Sequence, residues 1–476
     1  MRRITPLIRF ILLAVMTALP VRAETAAPSS APTPDIDNPL IGFYCGNLED
    51  HLPWCRQMHL GYSKNRMQNI IIPHVKIENT VDERQITKLV KEIETVYTRN
   101  GIIPWLSLSL GWAATGFSSP DDVAGFFDRH GPAIDEWFRL LSVRLTNLNA
   151  PPELTPRRYR FESEANVYRY TGKPVIYYET TRRIYRIFKT HLPDSTLVIS
   201  IAAAETFHAE EYLRPLLEYH RDTRPDEPLP FDGIQASCHG GEYMHSVNVH
   251  YEMQALFRDI FGDAEGMARF NRLIFWSNEN SGFAVGRVST PGIVYATDRE
   301  RARQDIKCVT QYLALPGTLM VNVDRRLEGD RRPMHKDSFH NLNGLVQNGC
   351  GIFDRGMGFV SPARDLLEVF TRYIHEYRPA INTTTSAVRI FNWIHRKDPG
   401  NHRLLVWRES GDPDTVESIP LPGEWKGLEQ VWVINLITGT EKQYPIDSVN
   451  QVIRMAVDDN PVVITPGREE RLQDFH

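Results

Sequence analysis

The stretch Leu197-Val198-Ile199-Ser200-Ile201, the amphipathic run from Ala209 to Tyr219, and Phe231-Asp232-Gly233-Ile234-Gln235-Ala236 decide the fold. A short β-branched run, a segment of helical period and a second short apolar run make one strand-helix-strand unit, and strands joined that way lie parallel. The alternation extends in both directions. Upstream it predicts strands at Leu40-Ile41-Gly42-Phe43-Tyr44, at Ile70-Ile71-Ile72-Pro73-His74-Val75, at Ile102-Ile103-Pro104-Trp105-Leu106-Ser107-Leu108 and at Tyr159-Arg160-Phe161-Glu162-Ser163-Glu164. Downstream it predicts Leu273-Ile274-Phe275-Trp276-Ser277 and Thr318-Leu319-Met320-Val321-Asn322-Val323. Helices are expected over 175–188, 209–219 and 298–312, and another begins at Asp82, sets Ile86, Leu89, Val90, Ile93, Val96 and Tyr97 at helical spacing, and stops at Asn100-Gly101. Eight such strands argue an α/β protein whose sheet closes into a (β/α)8 TIM barrel. An open doubly wound sheet is the alternative, but its nucleotide-binding form wants a glycine-rich turn after the first strand, where this chain has Cys45-Gly46-Asn47-Leu48.

Beyond about residue 380 the period changes. Ala387-Val388-Arg389-Ile390-Phe391-Asn392-Trp393, Arg403-Leu404-Leu405-Val406-Trp407, Gln430-Val431-Trp432-Val433-Ile434 and Val462-Val463-Ile464 follow one another without helices between them, the pattern of a C-terminal antiparallel β-sandwich domain. The expected organisation is a signal peptide at 1–23, a flexible linker at 24–38, the barrel at 39–380, the sandwich at 381–468 and a tail at 469–476. The signal-peptide reading rests on Met1-Arg2-Arg3, the apolar run around Ile8 to Val15 and the small-residue site ending at Ala23, and it predicts a secreted or periplasmic protein. An uncleaved anchor is the alternative, though the run is short and interrupted for a membrane span. The linker is rich in Ala, Pro, Ser and Thr, with nothing to bury.

With 476 residues, 42% hydrophobic and 24% charged, the chain has ample material for one large core and one small. A net charge of −5 without a basic stripe argues against a nucleic-acid partner. Five cysteines are an odd number; Cys45 and Cys55 are near enough in sequence for a local disulfide, while Cys238, Cys308 and Cys350 lie in segments that read as buried. No CxxC pair supports a structural zinc, and no cofactor is called for.

In a barrel, side chains at the C-terminal ends of the strands line the active-site face. Glu164 ends the fourth strand; Glu279 follows the seventh. By alternation Glu162 and Glu164 share one side of their strand, with Glu164 nearer the mouth, and Phe275, Ser277 and Glu279 share a face on theirs. Two carboxylates on opposed walls suit glycoside hydrolysis, one giving a proton to the departing oxygen and the other attacking the anomeric carbon. Their separation decides the outcome, ~5–5.5 Å for retention and ~6.5–9.5 Å for inversion.

At these residues the chain resembles the retaining glycoside hydrolases of clan A, most nearly family 39 and its relatives. There an Asn-Glu-Pro motif closes the fourth strand with the acid/base and a Thr-Glu-x-Gly-like motif closes the seventh with the nucleophile. Here the corresponding segments read Phe161-Glu162-Ser163-Glu164-Ala165-Asn166 and Phe275-Trp276-Ser277-Asn278-Glu279-Asn280-Ser281-Gly282. The resemblance implies an O-glycosyl hydrolase acting on a poly- or oligosaccharide by double displacement, with Glu164 as acid/base and Glu279 as nucleophile. It also puts Ser163 in the place of the residue that contacts the sugar 2-hydroxyl, and His239, after Phe231-Asp232-Gly233-Ile234, beside the nucleophile. Ser163 and Ala165 depart from the family's Asn and Pro.

Aromatic rings near strand ends are candidate sugar platforms, because saccharide C–H faces pack on them. Trp112 and Trp276 are best placed, whereas Trp105, inside a strand, reads as core. Tyr44 and His74, at the ends of the first two strands, are candidates for the same lining. Two other readings stand beside the glycosidase: a non-catalytic carbohydrate-binding protein on an inactivated barrel, motivated by Ser163 and Ala165, and a metal-dependent hydrolase using the histidines from His239 to His250, whose spacing is not a zinc ligand set.

Overall fold

The strand-helix alternation is present in the structure, a computed structural model that describes residues 41–44, 62–64, 68–69, 83–98, 102–150, 152–203, 209–239, 245–281, 298–324, 370–371, 373–374, 376–384 and 387–467. The N-terminal sheet holds β1 (Ile41–Tyr44), β2 (Tyr62–Lys64), β3 (Gln68–Asn69), β4 (Ile103–Ser109), β5 (Arg158–Phe161), β6 (Thr196–Ala202), β7 (Gly233–His239), β8 (Ile274–Ser281) and β9 (Thr318–Asp324). Every pairing in it is parallel, in the order β2-β1-β9-β8-β7-β6-β5-β4-β3, and β2 pairs with β4 as well as with β1. The strand expected over 70–75, with His74, lies outside the described residues; the strand beside β1 comes earlier, at Tyr62–Lys64.

The helices are α1 (Glu83–Glu92, running on through the wider turn Ile93–Tyr97), α2 (Pro120–Thr146), α3 (Pro174–His191), α4 (Ala209–Thr223), α5 (His245–Phe261), α6 (Asp263–Phe270) and α7 (Asp298–Leu313). The strands divide their side chains between two kinds of surroundings. Tyr159, Phe161 and Phe275 meet helix side chains: Tyr159 packs edge-on against Phe188, Phe161 stacks on Tyr177, and Phe275 touches His250 and Phe270. The alternate positions Ser107, Arg160, Ser200, Gln235 and Ser237 make a polar interior, fully buried and joined by hydrogen bonds.

The Phe231-Asp232-Gly233 turn has a steric and a polar reason. A Cβ at Gly233 would collide with the carbonyl oxygen of Ile274, so β7 and β8 approach closely only over a glycine. Asp232 accepts hydrogen bonds from the Leu197 N–H at 2.7 Å and the Tyr185 hydroxyl at 2.8 Å, and Lys189 lies 3.0 Å away, so one carboxylate fixes the entry of β7 to both β6 and α3.

The separate antiparallel sheet has six strands in the order β10 (Tyr377–Thr384), β11 (Val388–His395), β12 (His402–Arg408), β17 (Val462–Thr465), β14 (Gln430–Asn435), β15 (Glu441–Pro445). A two-stranded sheet, β13 (Val416–Pro420) with β16 (Val452–Ala456), shares a core with one of its faces through Ile419, Ile453, Val406, Val433 and Ile464. The other face shares a core with α7: Phe391, Trp393, Trp407 and Val463 lie with Ile306, Val309 and Tyr312. All the described residues belong to one compact unit. No helix among them is long and apolar enough to cross a membrane.

Candidate active site

The site begins where β5 stops. Its pairing with β6 ends at Phe161↔Ile199, because the hydroxyl of Tyr177 on α3 enters between the two backbones, donating to the Phe161 carbonyl at 2.8 Å and accepting the Ser200 N–H at 3.1 Å. Freed from β6, the chain turns. Glu162 and Glu164 both adopt left-handed backbone, at φ 62° and 44°, which side chains other than glycine rarely occupy and which costs on the order of 1 kcal/mol or more each. Two strained glutamates around Ser163 at a parallel strand's C-terminal end mark a place where geometry is held against local preference. The strand alternation expected to run through Glu164 therefore stops at Phe161.

Glu162 is fixed in place. It is 1% exposed, its carboxylate accepts the Ser109 hydroxyl and the Leu110 N–H, both at 2.9 Å, and Arg169 pairs with it at 2.7 Å. Burial pushes this carboxyl above the ordinary carboxylate range, against the pull of Arg169, the Leu110 N–H and the Ser109 hydroxyl toward the anion. Its bonds tie the β5 end to the β4 end and leave it a structural anchor.

Glu164 is 8% exposed, and its backbone hangs on β6. Its N–H donates to the Ser200 Oγ at 3.0 Å, and the next N–H, of Ala165, donates to the Ser200 carbonyl at 3.0 Å. The Ser200 hydroxyl donates in turn to the Gln235 Oε1 at 2.7 Å, which also receives Arg160 at 2.9 Å. Arg160 donates further to the Ser107 hydroxyl at 3.0 and 3.1 Å and lies over the Trp105 ring. Asn166 closes the turn by pairing its amide with both the N–H and the carbonyl of Ala202, at 2.7 and 2.9 Å. Four strands thus contribute to placing one acid.

Glu279 lies in β8, two residues before its C-terminal end. Between Asn278 and Ser281 the strand carries one residue more than β7 opposite, and between Ser277 and Asn280 one more than β9. Extra residues of this kind interrupt the regular register near strand ends. Trp276, expected as a sugar platform, is instead fully buried with its ring 5.9 Å from that of Trp105, in the packed interior. The alternation sends Phe275 to the helices and Trp276 to the opposite side, which the apolar content of the segment did not reveal. Trp105 is core, as its place inside a strand predicts.

Ser163 is half-buried between the two glutamates. Tyr44 and His239 are the last residues of β1 and β7, and Trp112 falls in the turn Gly111–Gly116 after β4, so their backbones stand at C-terminal strand ends. His250 is elsewhere: it sits on α5, fully buried among the rings of Phe270, Phe275 and Tyr312, and burial holds its pKa down to about 4. That sets it apart from His239, at the end of β7. Among the described residues no group of three or more His, Cys, Asp or Glu is disposed to hold a metal ion. Cys238 and Cys308 are buried; Cys45, Cys55 and Cys350 lie outside the described residues.

Sequence reading missed Ser200, Gln235, Arg160 and Asn166. One signal was present: an arginine in the middle of a buried strand needs partners across the sheet.

A parallel sheet with helices and a separate antiparallel sheet define a fold that solved glycoside hydrolases share. In particular, the fold is similar to that of a family 39 glycoside hydrolase from the gut symbiont Bacteroides cellulosilyticus WH2, at a TM-score of 0.57 and 12% identity over 90% of this chain and 81% of that one. It is also similar to the catalytic domain of the family 30 xylanase C from Talaromyces cellulolyticus (TM-score 0.52, 8% identity, 90% and 96% covered) and to a glucosidase from Croceicoccus marinus (0.51, 11%, 90% and 96%). No family model and no curated protein sequence matches the chain.

Proposed function

We propose that the protein is an exported, retaining glycoside hydrolase on a (β/α)8 barrel, with Glu164 as acid/base and Glu279 as nucleophile. The observation that carries the reading is Glu164 itself, a nearly buried carboxylate in strained backbone at the end of β5, pinned to β6 by the Ser200 hydroxyl. Such preorganisation suits a group that must meet one oxygen in one orientation. The pairings of β1 with β2 and β9, and of β2 with β4, support a closed sheet, and the fold shared with glycoside hydrolases supports a carbohydrate substrate.

Glu279 attacks the anomeric carbon while Glu164 protonates the departing oxygen; Glu164 then takes a proton from water, which releases the sugar. Ser163, His239, Trp112, Tyr44 and His74 are assigned to the sugar-binding lining. The N-terminal basic and apolar segment supports export.

The test is a panel of aryl glycosides and their 2-deoxy-2-fluoro analogues. Hydrolysis with retained configuration, and a fluorosugar adduct mapped by mass spectrometry to the peptide containing Glu279, is expected. Glu279→Gln should abolish turnover, and Glu164→Gln should lower it by about 10²–10⁴-fold on poor leaving groups. Surviving turnover in the Glu279 variant, or an adduct on another peptide, sinks the assignment.

A further inference from the structure

The hydroxyl that holds Glu164 has its own direction set by residues that Glu164 does not touch. Ser200 Oγ carries a single proton and faces two partners, the Glu164 N–H at 3.0 Å and the Gln235 Oε1 at 2.7 Å. A backbone N–H can only donate, so the serine oxygen accepts from Glu164 and sends its proton to Gln235. That arrangement lasts only while an acceptor faces it. A glutamine amide offers oxygen on one side and NH2 on the other, and half a turn would put N–H groups where Oε1 stands.

Arg160 decides which side faces the serine. Its guanidinium has donors and no acceptor, and its Nη1 lies 2.9 Å from the same Gln235 oxygen. Turning the amide would set N–H against N–H beside a buried cation. Oε1 therefore stays toward Arg160 and Ser200, and Nε2 donates to the Ser237 hydroxyl at 3.2 Å. The cation is steadied in turn by the Ser107 hydroxyl, at 3.0 and 3.1 Å, and by the face of the Trp105 ring. Arg160, Gln235 and Ser200 are all fully buried, so bulk water does not compete for these bonds. Resting on the reading of Glu164 as the acid/base, we infer that Arg160 and Gln235 are its positioning residues: the cation orients the amide, the amide orients the hydroxyl, and the hydroxyl holds the left-handed Glu164 backbone.

Hydrogen exchange of the Glu164 amide, read by mass spectrometry with single-residue fragmentation, tests the network without any substrate. Gln235→Leu keeps the volume and removes the acceptor, and is expected to speed exchange about tenfold, the worth of one hydrogen bond. Gln235→Glu, whose carboxylate beside Arg160 only accepts, is expected to keep the wild-type rate. Arg160→Met frees the amide to turn and is expected to match Gln235→Leu; where it does not fold, the Gln235 pair decides. The catalytic consequence is read as kcat/KM on phenyl and 2,4-dinitrophenyl β-xylosides, β-glucosides and β-mannosides. Phenolate departs poorly without a proton and 2,4-dinitrophenolate departs without one, so a misplaced acid slows only the former. Gln235→Leu is expected to lose about tenfold on the phenyl glycoside alone, with the loss reversed in Gln235→Glu. Unchanged exchange in Gln235→Leu, equal losses on both leaving groups, no loss on either, or a Glu variant no better than the Leu variant overturns the positioning role and leaves the glycosidase standing. Wild-type protein inactive on every glycoside of the panel overturns the glycosidase reading, and the exchange rates still decide whether Arg160 and Gln235 hold the Glu164 amide.

Discussion

Ser200 is the residue on which the candidate acid depends most. It accepts the Glu164 N–H on its hydroxyl, accepts the Ala165 N–H on its carbonyl, and gives its own N–H to Tyr177. Ser200→Ala removes only the first of these, together with the bond to Gln235. The expected result is a loss of about 1–3 kcal/mol in stability and a fall in kcat of about tenfold or more with KM little changed, since the left-handed Glu164 backbone loses its anchor. Ser200→Thr keeps the hydroxyl and should restore kcat. Equal kcat in the Ala variant and the wild type would show that Glu164 needs no such support. None of this was legible in the sequence, where Ser200 is one polar letter inside an apolar strand. That an acid follows closely on a strand was legible, because residue type and strand pattern are both local facts, although β5 stops at Phe161, three residues before Glu164. Glu162 reads identically, and only its contacts with Arg169, Ser109 and Leu110 set it apart as an anchor.

Elements were predicted well where period and burial agree. β4, β6 and β9, with α3, α4 and α7, lie within a few residues of the expected limits. Three helices were not anticipated, α2 among them, although Ser119 forms a capping box with Asp122 and Pro120 follows at the first helical position, a signature of helix starts. The interior Gly125, Gly131 and Pro132 of α2 dilute its apolar period and hide it. β5 ends early for a reason the strand itself does not contain, the Tyr177 hydroxyl from α3. The close approach of β7 and β8 over Gly233 carries its own prediction: Gly233→Ala should destabilise by on the order of 3 kcal/mol or more, as the Cβ presses on the Ile274 backbone. Thermal unfolding reads this directly, and an unchanged midpoint would mean that the two strands can part without loss.

At the scale of the whole molecule, α7 and the antiparallel sheet are joined by charge as well as by their core. Arg303 and Lys307 on α7 both pair with Asp459, Lys307 lies over the Trp407 ring, and the Trp407 indole donates to Glu409 at 2.7 Å. Burial, with Asp459 nearby, pushes the Glu409 carboxyl up to about 7. Its folded pKa is thus above the unfolded value, so the folded state favours the proton; that contribution is whole below about pH 4.5 and is lost as pH rises through 7. Glu409→Gln keeps an oxygen for Trp407 and carries no charge. It should match the wild type in acid and exceed it in stability above pH 7, by roughly 1–3 kcal/mol. Chemical denaturation at pH 4.5 and 8 measures the difference, and equal stabilities at pH 8 would contradict it.

The core shared by α7 and the last strands also constrains the order in which the chain can mature. Ile306, Val309 and Tyr312 are made some eighty residues before Phe391 and more than a hundred before Val463, their eventual cover. During synthesis, then, the earlier part of the protein emerges with an unclad oily flank that only the final segment can dress. A ribosome stalled at residue 380 should expose a nascent chain that binds holding chaperones and yields quickly to protease, where the released full-length product does neither.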